Sequence, residues 1–412
     1  MNAMSLDHRE LYRLPWSLTD NVISWLEPTK QCNISCDGCY SANRAGSHKS
    51  LEQIRADLDV FQRYRRTDAV SIAGGDPLTH PEIGRMVELV AERGLKPVLN
   101  TNGFAMTAPL LHELKACGLR GLTFHVDSLQ KRPGWTGKSE VELNALRQEF
   151  ADLAAAVGGL SCAFNSTVYE KTLPQVPEIV AWAQRNPAKV QVVVFIAFRT
   201  EDTRFDYYVG DHKVETRKLV YHGGRPERID VSSREIAEAI QARFPGYRPA
   251  AYLNGTEKPD AFKWLMSVVV NDGEEILGSV GPRFMELSQV AHHLWNGRYL
   301  GYVGPDVMAH AKTLLPLAAV DGGLREVAWR WGAKVARNPM RALRPLHLQS
   351  ILVIQPIDMT SDGRASMCDG CPDMTVHGGE LVWSCRLEEQ LVFGQWLRPV
   401  ARTPGEGPPP RA

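Results

Sequence analysis

Three cysteines stand close together in Glu27-Pro28-Thr29-Lys30-Gln31-Cys32-Asn33-Ile34-Ser35-Cys36-Asp37-Gly38-Cys39-Tyr40. Thiolates at this spacing can wrap one face of a metal ion or of an iron–sulfur cluster. Three of them leave one position of a four-iron cube unfilled. An open position on a metal is where chemistry happens, whereas a fully ligated site is usually structural. The alternative is a structural zinc site that borrows His48 as its fourth ligand. A second set lies near the C-terminus. Cys368-Asp369-Gly370-Cys371-Pro372 forms a knuckle, and Met374 to Trp383 reads as strand, turn, strand with Gly378-Gly379 at the turn. A hairpin of that length returns Cys385 toward Cys368 and Cys371. The fourth ligand is open between His377, a remote residue and the substrate. A structural zinc knuckle is the plainer reading of this set.

A second chemical signal follows the first loop. Ala73-Gly74-Gly75-Asp76-Pro77 ends the next strand candidate. Two glycines at a strand's C-terminal end let backbone approach a ligand closely. Parallel α/β folds place their sites at those ends. Backbone carbonyls and Asp76 could hold a cationic amine there, and a plain turn is the other reading.

In this order, the CxxxCxxC loop and a GGEP-like motif with Asp for Glu resemble the radical S-adenosylmethionine (SAM) superfamily over roughly residues 20–200. The resemblance implies an enzyme whose Cys32, Cys36 and Cys39 bind a [4Fe–4S] cluster. The amino and carboxylate groups of SAM would chelate the fourth iron, with Gly74, Gly75 and Asp76 receiving the methionine amine. An electron from the cluster would cleave the sulfonium, giving methionine and a 5′-deoxyadenosyl radical that takes hydrogen from the substrate or adds to it. Further cofactor contacts implied are Asn102 in Asn100-Thr101-Asn102-Gly103, Asp127 in Thr123-Phe124-His125-Val126-Asp127-Ser128, and Asn165.

The chain departs from the family pattern in three places. His125 stands where many relatives carry Ser. Gly38 stands where an aromatic residue commonly precedes the third cysteine, and Tyr40 after it is the candidate substitute. The late glycine-rich motif of the fifth strand is not recognisable. The C-terminal cysteines resemble the auxiliary-cluster extensions of SPASM or twitch type, though with a different spacing. They imply a second iron–sulfur cluster or zinc. An electron donor such as flavodoxin or ferredoxin is implied as a partner. The reaction, oxidoreductase or transferase, stays open. Auxiliary-cluster enzymes suggest a peptide substrate. The rival class is a non-catalytic zinc or iron–sulfur protein that binds a partner.

These residues need strand ends and loops to position them. Strand candidates are Val22–Leu26, Ala69–Ala73, Lys96–Thr101, Gly121–Val126, Leu160–Val168 and Val190–Phe198. Between them, Ser50 caps Leu51–Tyr64, Pro81 opens Glu82–Arg93, and helices fit Ala108–Ala116, Ser139–Val157 and Pro174–Gln184. The alternation predicts βαβ units and a parallel sheet. The fold class is α/β, a partial (β/α)6 TIM-like barrel, since six units fall short of a closed eightfold one. A C-terminal α+β metal-cluster domain follows. The expected divisions are an N-terminal extension (1–20), the barrel (21–200), a mixed and largely helical region (201–345), the cysteine-cluster region (346–400) and a disordered tail (401–412). Within the mixed region, residues 261–281 read as a hairpin turning at Asn271-Asp272-Gly273.

Composition sets the outer bounds. The chain has 412 residues with 47 basic and 47 acidic side chains, so no whole-molecule field recruits nucleic acid. Its eight cysteines are too dilute for a disulfide scaffold. No secretory signal is visible, and the longest apolar run, Val192 to Phe198, falls far below the ~18 residues of a membrane-spanning helix. A cytoplasmic, reducing location is expected. Arg330, Lys334, Arg337, Arg341 and Arg344 line one helical face, which suggests a lipid or isoprenoid substrate or a peripheral membrane contact as the alternative to a solvated face. Thr136-Gly137-Lys138-Ser139 lacks the upstream glycine of a P-loop, Arg132 standing there. His292-His293 has no paired ligand spacing. Cys117 and Cys162 read as ordinary buried cysteines. No cobalamin-binding segment precedes the barrel, so cobalamin is not invoked.

Overall fold

β-Branched runs and amphipathic helices alternate in the structure as the pattern predicts. The computed structural model describes residues 6–199, 202, 204–216 and 231–402. A short strand β1 (Tyr12–Arg13) comes first. Then follow β2 (Ile23–Leu26), α1 (Leu51–Tyr64), β3 (Ala69–Ile72), α2 (Ile83–Glu92), β4 (Lys96–Thr101), α3 (Ala108–Ala116), β5 (Gly121–His125), α4 (Asn144–Val157), β6 (Ser161–Val168), α5 (Val176–Arg185) and β7 (Val192–Ala197). Strands β2 to β7 pair in sequence order, all parallel. Ser50 and Gln53 close a capping box at the start of α1. Helix α4 begins later than the Ser139 start that the pattern suggests. Ser139 and Glu142 there make the reciprocal bonds of a capping box, and the turn they open leads into the helix proper at Asn144.

Period-two alternation divides each strand between two environments. Leu26, Val70, Ile72, Leu99, Leu122, Phe124 and Phe164 pack outward against the helices. Ile23, Ala69 and Val98 face inward at the base of the barrel. Higher up, the same inner face carries Asn100, Thr123, His125, Asn165 and Thr167. The lumen is thus apolar below and polar at the strands' C-terminal ends.

The sheet continues beyond β7. Further elements are α6 (Ser233–Arg243), β8 (Ala251–Leu253), β9 (Trp264–Asn271), β10 (Ile276–Ser279), α7 (Pro282–Asn296), α8 (Gly322–Arg337) and β11 (His347–Ile354). Strand β11 lies parallel to β7, β9 antiparallel to β11, β8 antiparallel to β9, and β1 parallel to β8. Strands β9 and β10 form the expected hairpin. The five basic residues expected on one helical face do not share one, since α8 stops at Arg337 before Pro339 and leaves Arg341 and Arg344 beyond it. Four of the five pair with acids, three of them with acids of the hairpin turn. Lys334 pairs with Asp272 and Glu275, Arg341 and Arg344 with Glu274, and Arg330 with Glu326.

The two edges of this sheet are β1 and β2. The C-terminal cysteine knuckle lies across the seam between them. Cys368 bridges Gly255, and Asp369 N–H donates to the Asn254 carbonyl at 2.9 Å. Arg13 reaches the Asp369 carboxylate at 2.6 Å, and Asn21 donates to the Gly370 carbonyl at 2.9 Å. Gly370 has φ +72°, and a Cβ there would lie 2.2 Å from the Trp16 carbonyl oxygen. A hairpin of β12 (Met374–His377) and β13 (Glu380–Trp383) then packs on β2 and α1, and α9 (Leu387–Phe393) follows. The expected C-terminal metal-cluster domain therefore does not stand apart, because its cysteines are part of the barrel wall. The tail expected to be disordered lies, beyond Arg402, outside the described residues.

One buried ion pair fixes the loop after β5. Arg147, fully buried, bonds Glu140 Oε2 at 2.5 Å, the Val126 carbonyl at 2.9 Å and Ser166 Oγ at 3.1 Å, while Glu140 Oε1 accepts from Ser128 N–H at 2.7 Å. Removing one partner strands the other's charge in the core. Arg147→Met should cost about 3–5 kcal/mol in urea unfolding, and adding Glu140→Gln should recover part of that loss.

Candidate functional site

The first cysteine loop sits between β2 and α1, beside the C-terminal ends of the parallel strands. Backbone bonds strap it to the segment after β5. Asp37 N–H donates to the Leu129 carbonyl at 3.0 Å and Lys131 N–H to the Ser35 carbonyl at 2.8 Å. Asn43 holds the Cys32 backbone from both sides, accepting from its N–H and donating to its carbonyl, each at 2.9 Å. All three thiols are free. Asn102 lies directly on the loop. Its amide nitrogen is 3.5 Å from Cys32 Sγ and 2.7 Å from Asn33 Oδ1.

The Gly-Gly-Asp segment is the floor of this loop. Gly75 N–H donates to the Thr29 carbonyl and Asp76 N–H to the Gln31 carbonyl, both at 2.8 Å. A Cβ on Gly74 would lie 2.4 Å from Thr29 O, and one on Gly75 would lie 2.2 Å from Gln31 O. Glycine is needed at both positions for two backbones to touch. Asp76 is fully buried. Its carboxylate accepts from Thr101 Oγ1 at 2.9 and 3.0 Å, from Asn102 N–H at 2.8 Å and from Leu78 N–H at 2.9 Å. Those bonds use its acceptor capacity inside the protein. Asp76 thus acts on the site through Asn102, which it aims at Cys32.

Burial raises the Cys32, Cys36 and Cys39 thiols above their ordinary range. Two buried cations oppose this. Arg132, 3% exposed, donates to the Asn102 carbonyl at 2.5 Å and lies near Cys36 and Cys32. Its Nε has no partner. Lys30 bonds Glu27 at 2.5 Å, pairs with Glu388 at 3.6 Å and lies near Cys39. Sequence reasoning missed Arg132 as a site residue, because no spacing marks a lone basic residue that a loop folds inward.

The lumen beside the loop is polar. His125 Nε2 is 2.8 Å from Asp127 Oδ2 and 3.2 Å from Thr167 Oγ1. Burial pushes the Asp127 carboxyl up, but the His125 bond and charge and the Leu129 N–H outweigh it, and the net shift is downward. Asn100 Nδ2 and Asn165 Oδ1 are buried without partners. Tyr40 Oη accepts from Trp25 Nε1 at 3.3 Å. Gly38 has φ +79°, and a Cβ there would meet the Phe198 ring at 2.6 Å and Tyr169 Oη at 3.0 Å. These two rings, 4.7 Å apart, occupy the space that a side chain at position 38 would fill.

The structure also gathers the second cysteine set. Cys368 and Cys371 are buried. The Cys371 thiol is raised well above its usual range by the hydrogen bond it shares with Cys368 and by burial. Cys385 is raised to about 12 by burial and by nearby Cys368. His377 is exposed at the turn end of the hairpin, opposite the end that carries Cys385. Among the described residues, no three Cys, His, Asp or Glu side chains close around a single metal ion. Cys162 is buried in β6, and His293 pairs with Asp20 at 2.7 Å.

Residues 26–151 match the sequence model of the Radical SAM superfamily. Over that span the chain is similar to a radical SAM domain. Such a domain binds S-adenosylmethionine and a [4Fe–4S] cluster, and the residues here fit both. Three free thiols share one strapped loop, two buried cations offset their charge, and partnerless amides face the lumen beside them. The AdoMet-dependent heme synthase of Methanosarcina barkeri is 23% identical over 42% of this chain and 50% of its own length. A GTP 3',8-cyclase of Vibrio cholerae is 26% identical over 48% of this chain and 58% of its own. SuiB of Streptococcus suis superposes with a TM-score of 0.39 at 16% identity, over 55% of this chain and 47% of that one, a likeness too partial to argue from. The chain spans about half or less of the length of the first curated relatives it matches. Among the described residues, no helix is long and apolar enough to cross a membrane.

Gly38 tests the loop's packing. Gly38→Ala places a methyl group against Phe198 in a strained backbone region. It should cost about 1–3 kcal/mol and lower the iron retained after anaerobic reconstitution. Adding Phe198→Leu should restore part of the iron, since it relieves the clash and leaves the backbone strain.

Proposed function

We propose that the chain is a radical SAM enzyme, with a [4Fe–4S] cluster on Cys32, Cys36 and Cys39 and S-adenosylmethionine in the lumen beside it. The observation that carries this reading is the three-thiol loop strapped over a lumen whose Asn100 and Asn165 amides have no protein partner. Bound together, the cluster and SAM supply reductive cleavage of the sulfonium, giving methionine and a 5′-deoxyadenosyl radical that takes hydrogen from a substrate.

The chain's own residues position and shield. Asn102 fixes Cys32, and Asp76 fixes Asn102. Arg132 and Lys30 favour the thiolate forms that a cluster needs. Asn100 and Asn165 offer a donor and an acceptor to the polar atoms of a nucleoside. The Asp127 carboxylate takes the Nε2 proton of His125 in a hydrogen bond, which sets that ring's orientation. Phe198 and Tyr169 cover the flank of the loop beside the third cysteine and exclude water there. Tyr40 is engaged with Trp25, so the aromatic surface beside Gly38 comes from Phe198 and Tyr169. Gly74 and Gly75 bring their backbone within reach of the methionine amine.

The second cysteine set holds, in this proposal, an auxiliary iron–sulfur cluster built into the barrel wall. A low-potential donor of the flavodoxin or ferredoxin class supplies electrons. The substrate class is a peptide, on the resemblance to auxiliary-cluster enzymes. The lipid alternative loses its support, because four of the five stripe residues are paired with acids.

Anaerobic reconstitution with iron and sulfide, then SAM and dithionite, should yield 5′-deoxyadenosine. Cys32→Ala should abolish it. Asn165→Leu should weaken SAM binding about tenfold in equilibrium titration, the effect of losing a hydrogen bond of about 1.4 kcal/mol. A preparation that carries zinc and forms no 5′-deoxyadenosine would sink the enzyme reading.

A further inference from the structure

The C-terminal cysteines show three donors in the sequence, and the hairpin geometry supplies a fourth. Met374 pairs with Trp383 at the base of the hairpin. Ser384 N–H donates to the Asp373 carbonyl at 3.1 Å. Asp373 therefore lies opposite Ser384, beside Cys385, and two residues after Cys371. Its Oδ1 is buried and has no hydrogen-bond partner. The histidine of the same hairpin, His377, is exposed at the far end.

A buried cation flanks the same place. Arg65, 4% exposed, donates through Nη2 to the carbonyls of Ile23 at 3.1 Å, Cys371 at 3.2 Å and Pro372 at 3.4 Å. Its Nε and Nη1 have no partners. Buried polar atoms are rarely left bare. Beside three thiols, a carboxylate oxygen and two guanidinium nitrogens without partners mark a place for an anionic group that takes an oxygen ligand and accepts N–H bonds.

We propose that Asp373 is the fourth protein ligand of an iron–sulfur site formed with Cys368, Cys371 and Cys385. The proposal rests on the reading of these cysteines as an auxiliary cluster and deepens it. Four protein ligands close the site, so its iron is not offered to the substrate. Arg65 offsets the charge of the thiolates and offers N–H groups to the cluster. The two cysteine sets then differ in kind. The first keeps an open position, whereas the second is complete and serves electron transfer or the integrity of the wall.

The test uses the full chain with Cys32→Ser, Cys36→Ser and Cys39→Ser, which leaves the C-terminal site alone. After reconstitution with iron and sulfide, iron is counted. The reduced cluster is then recorded by electron paramagnetic resonance, with and without ¹³C-cyanide. With Asp373 in place, the signal should be indifferent to cyanide. Asp373→Ala should retain iron, shift the signal and acquire ¹³C coupling from cyanide on the exposed iron. Asp373→Cys should restore cyanide silence with altered g values. Asp373→Asn, close in size, gives the same comparison should the alanine variant fail to fold. Cyanide coupling in the Asp373 protein, or a signal that no Asp373 substitution moves, would overturn the assignment. Absence of iron from a triple variant that keeps its circular dichroism would overturn the auxiliary-cluster reading beneath it, while SAM cleavage by the unsubstituted chain would still stand.

Discussion

A single buried carboxylate organises the site. The Asp76 carboxylate accepts hydrogen bonds from the Thr101 hydroxyl and Asn102 N–H at the end of β4 and from the Leu78 N–H, while its own N–H donates to the Gln31 carbonyl, so that three stretches of chain meet on it. A charge this deep is tolerable only because the donors are there. The converse also holds: each donor loop is fixed because the charge needs it. Asn102 is thereby aimed at Cys32, and the cysteine loop at the lumen. The two glycines before Asp76 serve the same end, since any side chain there would push the loop off its floor.

Closing the barrel is a separate problem, solved by a separate stretch of sequence. A sheet whose edges are a two-residue strand and a four-residue strand leaves backbone groups and apolar surface open along a seam. The knuckle 368–371 covers that seam with backbone hydrogen bonds on the β8 side and the Arg65 and Asn21 bonds on the β2 side. Placing cysteines in that patch makes ligand binding and wall closure one event. A group bound by Cys368, Cys371 and Cys385 would hold the seam as well as do chemistry, because binding to the folded state alone stabilises it.

The local part of this fold was legible in the sequence. β2 to β7 and their helices follow from period-two and amphipathic runs with clear caps, and the hairpin at Asn271 follows from its turn residues. Strand β11 was not legible as part of the barrel. His347 to Ile354 is a plausible strand by composition, but its place beside β7 depends on pairing across a long stretch of chain, which no local pattern encodes. The site divides the same way. Cys32, Cys36 and Cys39 announce themselves by spacing. Asn102, part of a recognisable strand end, lies against the cysteine loop. Asp76 was legible as important but not in its role, since its partners lie after the next strand. Arg132, Arg65 and Asp373 carried no signal, because what distinguishes them is burial without a full set of partners.

That last group explains why a neutral chain has a charged interior. Basic and acidic residues balance over the whole molecule, and exposed pairs such as Lys138–Glu142 and Arg283–Glu286 bring little net gain. Buried cations are different. Arg132 and Lys30 sit beside the first thiols, and Arg65 sits beside the second set, while Arg132 and Arg65 keep nitrogens with no protein acceptor. Lys30 is met by Glu27 and Glu388, but in a low dielectric the two guanidinium groups are costly unless an anion comes to them. Protonated thiols do not meet that need and thiolates bound to a metal cluster do. The same cations that lower the cost of ionising the thiols are the groups that an anionic cluster, as proposed above, would offset.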